Sequence, residues 1–322
     1  MKNKVLLFRK FKNIETFGFN LLILYIVMLA FFSIMTRQYF SITNFKVMTG
    51  NFSIVGIVAV GVFMPLLAGS FDLSIGGNIS LLSVLIVFMF NIGLPVLVVI
   101  LISLVIGSFI GTLNGIICNI IRINPVIATL GTGSILAGSA KLIATFIKKE
   151  DIFNPSFQLI GSTIIVNVLP ILFVYMLIIY IGMALFLKYT KFGRNIYAVG
   201  GNFEIARMAG INSNKVQFIT FVISGLFSSI GAILLTSQLA MGTSQAGARF
   251  TLDALTICVL GGLVLGKGKG DLFGTFMAVL IVGSITSGLI MLGITSYIQY
   301  IVNGSILIIA IALNAVRFQR TG

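Results

Sequence analysis

The sequence predicts an all-α protein that crosses a membrane about ten times, with both termini in the cytoplasm. Apolar residues make up 58% of the 322 residues, whereas charged residues make up only 9%. Apolar stretches long enough for a bilayer recur from Phe17 to Val316. A helix needs about 20 apolar residues for each crossing, because hydrocarbon offers its backbone no other hydrogen-bond partner.

The apolar runs locate the individual spans. They lie near residues 17–36, 47–68, 73–91, 95–120, 125–147, 167–188, 216–237, 252–266, 271–293 and 296–316. We expect them to form a single transmembrane domain, residues 17–316. A basic N-terminal segment at 1–16 precedes this domain, and a short cytoplasmic tail at 317–322 follows it.

The formal charge of +14 reflects orientation in the membrane rather than a nucleic-acid surface. With a cytoplasmic N-terminus, 15 of the 21 Lys and Arg residues fall on the cytoplasmic side. Cytoplasmic loops of membrane proteins carry such an excess of basic residues. Three connections between spans are long enough to hold structure: an outer loop at 148–166, an inner loop at 188–215 and a second outer loop at 238–250.

The residue types exclude most catalytic chemistry. The chain has no histidine, which excludes Ser/His/Asp and Cys/His catalysis and histidine metal sites. Cys118 and Cys258 each lie in an apolar run, which predicts packed thiols. The run Gly261–Lys267 fits only the first part of a phosphate-binding loop, because Gly268 stands where Ser or Thr would reach Mg²⁺. We therefore expect no enzymatic activity and no cofactor in this chain.

Small residues recur at a spacing of four in the fourth predicted span. They are Ser103, Gly107, Gly111 and Gly115. This spacing places them on one helix face, where small side chains allow a neighbouring helix to approach closely. We expect this face to pack inside the protein.

The inner loop contains signals for a short helix. Asn202 is a good N-cap, Glu204 lies in the first turn, and Gly210 is placed to stop the helix. These residues predict a two-turn helix in the cytoplasm. A helix this short is marginal in water by itself, so docking against another protein would supply the missing stabilisation. An ordinary solvated loop is the alternative.

A few polar residues lie beside or within the apolar segments. Asp72 and Asp253 are candidates for a transport pathway or for helix caps, since an ionised Asp at mid-membrane costs about 2.5–3.5 kcal/mol. Four asparagines are further candidates for contact with a polar solute, because an amide offers donor and acceptor without charge: Asn51, Asn78, Asn114 and Asn124. The alternative for each asparagine is an interhelical hydrogen bond worth about 0.6 kcal/mol.

Several strings occur together in an order and spacing typical of one family. They are GSFDLSIGGN (69–78), GTLNGIICNIIRINPVIATLGT (111–132), GRNIYAVGGN with ARMAGI (193–211), LDALTICVLGG (252–262) and GKGDLFGT (268–275). From about residue 45 onward, the sequence resembles the permease subunits of bacterial ABC importers of the ribose, xylose, galactose and autoinducer-2 group. The chain departs from the usual pattern at Thr251, where an acidic residue is common, and at Leu263 to Leu265, where a Thr-Ser-Leu-like stretch is common.

The resemblance implies a multi-pass protein of the bacterial cytoplasmic (inner) membrane. It implies a pair of permeases, expected here to be two copies of this chain, with a pair of cytoplasmic ATPases that carry ATP and Mg²⁺. It also implies an extracytoplasmic sugar-binding protein. The family's ATPase-docking loop matches the inner loop at Gly193, Arg194, Gly200, Gly201, Asn202, Ala206, Gly210 and Ile211, and we add Glu204 and Arg207 from the predicted helix.

Together these features predict a permease subunit that forms the translocation pathway for a small, ribose-type sugar. The expected pathway residues are Asn51, Asp72, Asn78, Asn114, Asn124 and Asp253. An importer of autoinducer-2 or nucleosides is the alternative within the same architecture. An ion-coupled secondary carrier with Asp72 as the relay is the alternative from another class.

Overall fold

A computed structural model describes residue 22 and residues 25–147, 154–264 and 271–321 of the chain. Helices make up most of this described part. They are α1 (Tyr25–Met35), α2 (Ile42–Leu67), α3 (Ile75–Asn91), α4 (Val96–Asn119), α5 (Pro125–Ala144), α6 (Pro155–Ser162), α7 (Ile171–Tyr189), α8 (Lys191–Gly201), α9 (Phe203–Met208), α10 (Ser213–Leu239), α11 (Phe250–Val264), α12 (Leu272–Met291) and α13 (Ser296–Thr321). Strands β1 (Ile164–Ile165) and β2 (Leu169–Pro170) pair antiparallel between α6 and α7. The predicted all-α class is confirmed.

Within the described residues, six helices are long and apolar enough to cross a bilayer: α2, α4, α5, α7, α10 and α12. Shorter apolar helices occur at α1, α3, α11 and α13. Every predicted span overlaps one of these helices. The count of ten crossings and the cytoplasmic placement of both termini stay predictions. The N-terminal segment 1–16, most of 17–24 and the end of the Gly261–Lys267 run lie outside the described residues.

The chain divides into two compact units, one formed by residues 49–255 and the other by residues 1–48 with 256–322. In the larger unit, α10 packs against α3, α4 and α6, and α3 also packs against α5. In the smaller unit, the hydroxyl of Tyr39 donates to the carbonyl oxygen of Ser284 at 3.1 Å. The Phe32 ring stacks on the Tyr39 ring with centroids 5.5 Å apart. A single transmembrane domain at 17–316 stays a prediction.

The glycine face of α4 lies against α10, as the four-residue spacing predicts. A Cβ atom added at Gly107 or Gly111 would overlap backbone atoms of Gly225 or Phe221. The opposite face of α4 exposes large apolar side chains at the same spacing: Leu97, Leu101, Val105 and Phe109. This outer face suits contact with membrane lipid.

Glycines end several helices in the left-handed conformation that favours this residue. At the end of α2, Gly69 has φ +78°. The backbone N–H of Ser70 donates to the Pro65 carbonyl at 2.9 Å, and that of Gly69 donates to the Leu66 carbonyl at 3.0 Å. These two bonds satisfy the last carbonyls of α2 and turn the chain into the non-helical stretch before α3.

We predict that Gly111→Ala destabilises the fold by about 1–3 kcal/mol, because the new methyl group overlaps the Phe221 carbonyl. Thermal unfolding of the purified protein in detergent measures the change. Gly138→Ala on α5 is the matched control, since no atom of the described residues lies within 4 Å of a Cβ there. Equal unfolding temperatures for the two variants would contradict the close packing of α4 on α10.

Candidate functional site

Asp72 lies at the centre of a buried polar cluster in the larger unit. It precedes α3 in the non-helical stretch, and only 2% of its surface is exposed. One carboxylate oxygen accepts from the Ser74 backbone N–H at 3.0 Å and from the Ser74 hydroxyl at 2.6 Å. The other accepts from the Ser224 hydroxyl of α10 at 2.7 Å. The amide of Asn114 on α4 donates to the Ser74 hydroxyl oxygen at 2.7 Å, which links a third helix to the cluster.

No basic side chain compensates the charge of Asp72 among the residues that the structure describes. The ion pairs found there are Arg207 with Glu204 and Arg249 with Asp253. All three groups bonded to Asp72 are donors, and the amino end of α3 adds its positive dipole. Hydrogen bonds and a helix end therefore hold this carboxylate inside the protein.

The first turn of α3 is also where two other segments meet. The backbone N–H of Leu73 donates to the Thr129 hydroxyl of α5 at 3.0 Å. The backbone N–H of Gly76 donates to the Thr251 hydroxyl of α11 at 3.0 Å. The Ser80 hydroxyl accepts from the backbone N–H of Gly247, in the stretch between α10 and α11. The predicted second outer loop thus contacts α3, where the Ser80 hydroxyl satisfies the Gly247 N–H of that loop.

Asn78 lies one helical turn beyond Ser74 on α3, and Ser228 lies one turn beyond Ser224 on α10. The side-chain amide of Asn78 donates to the Ser228 hydroxyl at 2.5 Å. The side-chain oxygens of Asn78 and Asn114 and the hydroxyl of Ser70 are buried and have no hydrogen-bond partner among the described residues. A buried acceptor without a donor costs about 1–3 kcal/mol. Such groups are uncommon in folded proteins and mark a site that can bond to something else.

The remaining pathway candidates have contacts with other residues. Asn124 caps α5, where its side chain accepts from the Val126 N–H at 3.0 Å. Asp253 lies in the first turn of α11, 3.9 Å from Arg249, as expected for a structural role near a helix start. Asn51 is exposed and accepts from the Gln238 side chain at 3.4 Å. The structure joins Asp72, Asn78 and Asn114, and a pathway role for any candidate stays a prediction.

The hydroxyl partners of Asp72 were not predicted from the sequence. Ser224 is 152 residues from Asp72, so no local pattern connects them. The signal that would have found the partners is the spacing of hydroxyls in the apolar helix α10, where Ser224 and Ser228 share a face.

The inner loop forms two helices, α8 and α9. The predicted short helix is confirmed as α9: the Asn202 side chain accepts from the Ile205 N–H at 3.0 Å, and Gly210 follows with φ +83°. Helix α8 was not predicted. It begins after Thr190, whose hydroxyl accepts from the Gly193 N–H at 2.9 Å.

Helix α9 presents a mixed charged and apolar surface. Ala206 is buried, whereas Ile205 and Met208 are 60% and 79% exposed. Glu204 and Arg207 form an exposed ion pair at 3.5 Å, which contributes little to stability. Beside α9, a cavity of about 340 Å³ is lined by Arg207 and residues 210–214. Among the other predicted docking residues, Arg194, Gly200, Gly201 and Asn202 are exposed, whereas Gly193 is buried. A Cβ added at Gly193 or Gly200 would overlap neighbouring backbone.

Residues 44–311 match a protein family described as the permease component of branched-chain amino acid transport systems. The ribose import permease protein of Haemophilus influenzae is 32% identical over 89% of this chain and 89% of its own length. The galactose/methyl galactoside import permease protein of the same organism is 30% identical over 92% and 94%. The autoinducer 2 import system permease protein of Escherichia coli O9:H4 is 31% identical over 84% and 84%. No solved structure matches the chain.

We predict that Ser224→Ala lowers the free energy of unfolding by about 1.5–3 kcal/mol, because it removes a hydrogen bond to a buried carboxylate. Chemical or thermal unfolding in detergent measures the loss. Ser134→Ala is the control, since this serine is exposed and its hydroxyl donates to the carbonyl of Leu130 in its own helix. A loss at position 224 no larger than at position 134 would mean that Asp72 does not depend on α10.

Proposed function

Because the chain belongs to the transport-system permease-component family, we propose that it forms the translocation pathway of an ATP-driven importer for a small, ribose-type sugar. The chain is a multi-pass protein of the inner membrane. Its relatives are import permeases, which are transport components rather than enzymes. Two of the relatives are named for ribose and for galactose, which supports a monosaccharide as the solute.

The observation that carries the proposal is the exposed surface of α9. Ile205 and Met208 are exposed apolar side chains on a six-residue helix that would be marginal in isolation. A partner that buries these two side chains gains apolar contact area. The charges of Glu204 and Arg207 can orient that partner on α9. We assign this surface to a cytoplasmic ATPase, which binds ATP and Mg²⁺ and hydrolyses the nucleotide.

The remaining partners follow from the same proposal. A second copy of this chain completes the pathway, and an extracytoplasmic binding protein delivers the sugar. The buried cluster at Asp72, Asn78 and Asn114 is closed in this structure, so a solute reaches it only after α3, α4 and α10 separate. ATP binding drives that separation if α9 contacts the two ATPase states differently.

An importer of autoinducer-2 is the second candidate, because one relative of similar identity carries that name. A nucleoside importer belongs to the same architecture. An ion-coupled carrier with Asp72 as its relay is the third. Uptake that follows an ion gradient without ATP would favour this carrier over either importer.

Charge reversal on α9 tests the ATPase contact. We expect Glu204→Lys and Arg207→Glu to uncouple ATP hydrolysis from uptake, because each side chain is exposed on the proposed docking surface. Uptake of labelled ribose and galactose and hydrolysis of ATP are measured on the same vesicles. Lys141→Glu, an exposed reversal in the last turn of α5, serves as the control. If ATP hydrolysis and uptake stay coupled in both α9 variants, α9 is not the docking site.

Alanine substitution of the four asparagines tests the pathway. We expect at least Asn78→Ala and Asn114→Ala to reduce uptake, because their buried amide oxygens have no partner among the described residues. Initial uptake rates, corrected for the amount of protein in the membrane, measure the effect. Normal transport by all four variants, including Asn51→Ala and Asn124→Ala, would show that the pathway assignment is wrong.

A further inference from the structure

The non-helical stretch between α2 and α3 touches both the inner-loop helices and the buried cluster. We call residues 67–74, from the last residue of α2 to the residue before α3, the connector. It begins at the glycine turn that ends α2 and finishes at Ser74, where α3 starts. The connector is therefore placed between the surface proposed to bind the ATPase and the cluster proposed to meet the solute.

At its first end, the connector lies directly against α8. A Cβ added at Gly200 would overlap the carbonyl oxygen of Leu67 and would lie 3.5 Å from the Cα of Ala68. The Cα of Gly200 would also lie 3.9 Å from a Cβ added at Gly69. Only a glycine at position 200 allows this backbone-to-backbone contact, so a displacement of α8 pushes on the connector without an intervening side chain.

A hydrogen bond from α10 fixes the same end. The side-chain amide of Gln217 donates to the carbonyl oxygen of Ala68 at 2.9 Å. Gln217 lies near the start of α10, immediately after the inner loop. The start of α10 and the end of α8 thus hold the connector from two elements.

Helices α8 and α9 are tied to each other and to α10. The backbone N–H of Asn202, which caps α9, donates to the Ala198 carbonyl of α8 at 3.2 Å. The hydroxyl of Ser213 at the start of α10 donates to the Phe203 carbonyl of α9 at 3.1 Å. A force on the exposed face of α9 therefore moves Gly200 with it.

At its second end, the connector is bonded into the buried cluster. The Thr129 hydroxyl accepts from the Leu73 N–H, and the Ser224 hydroxyl donates to the Asp72 carboxylate. Three buried polar groups without a hydrogen-bond partner among the described residues lie near the connector: the Ser70 hydroxyl within it, and the side-chain oxygens of Asn78 and Asn114 beside its second end. These unpaired groups indicate that a second arrangement of the connector, in which they are bonded, is within reach.

We propose that the connector transmits ATPase movement from α8 and α9 to the Asp72 cluster, with Gly200 and Gln217 as the positioning residues that couple its first end to that movement. This inference rests on the proposed function, since it names the route by which docking opens the pathway. In the closed arrangement the asparagine oxygens are buried. Displacement of the connector frees them to accept hydrogen bonds from a polar solute.

A thiol within the connector reports its movement without a transported solute. Ser70→Cys is nearly isosteric and lies at a site that is 2% exposed, so a maleimide reagent should label it poorly at rest. In the complex purified with its ATPase, we expect ATP and Mg²⁺ to raise the labelling rate several-fold. The chain without this substitution gives the background from Cys118 and Cys258, which are buried.

Second substitutions in the Ser70→Cys background test the two positioning residues. Because Gly200 is also a predicted docking residue, ATPase binding and activity are measured for both variants, and Gln217→Met should leave them unchanged. We expect Gly200→Ala and Gln217→Met each to abolish the ATP-dependent increase in labelling. Gln217→Lys should restore it, because lysine can donate to the Ala68 carbonyl, whereas methionine only fills the space. Gly182→Ala on α7 is the matched glycine control, since a Cβ there would have no neighbour within 4 Å in the part of the chain that the structure describes.

The outcomes separate this inference from the proposed function. If the chain brings no ATPase with it, the proposed function fails, and the transmission route fails with it. If an active ATPase is present but ATP does not change the labelling of Ser70→Cys, only the transmission route is overturned. An unchanged ATP response in both Gly200→Ala and Gln217→Met would equally overturn it.

Discussion

The hydrogen bonds to the Asp72 carboxylate are the constraint on which the arrangement of the larger unit depends. A carboxylate removed from water without a cation must be held by donors, and here the donors come from Ser74 and from Ser224 on another helix. Asn114 extends the network to α4. The positions of α3, α4 and α10 are therefore fixed at one point by polar bonds, and α4 and α10 are also held together by the close contact of their small residues.

The same constraint explains how the chain contains non-helical segments between apolar helices. Backbone groups at membrane depth need partners inside the protein, because lipid offers none. The Thr129 and Thr251 hydroxyls accept from backbone N–H groups on either side of the α3 start, and the Ser80 hydroxyl accepts from the Gly247 N–H between α10 and α11. Irregular backbone whose hydrogen bonds go to side chains can change its hydrogen-bond partners more easily than the backbone of a continuous helix can. These segments are thus the natural places for a conformational change that opens a pathway.

Features with local causes could be predicted from the sequence. The span expected at 95–120 is α4, Val96–Asn119, because hydrocarbon forces an apolar run into a helix. Asn202 and Gly210 sufficed to predict α9, since caps act within a few residues. Helix α8 was missed because its glycines are typical of a loop. Two of them instead allow backbone contacts with Leu187 and Leu67, which only the folded chain brings near. The partners of Asp72 were missed for the same reason.

In the proposed function, ATP on a partner bound at α9 drives the movement of a solute through this chain. The decisive experiment is purification of the tagged chain from its native membrane in mild detergent, with identification of the proteins that copurify. We expect a stoichiometric ATPase, and solute uptake that requires ATP once the complex is placed in vesicles. A chain that purifies alone and still moves solute under an ion gradient would contradict it and favour a secondary carrier.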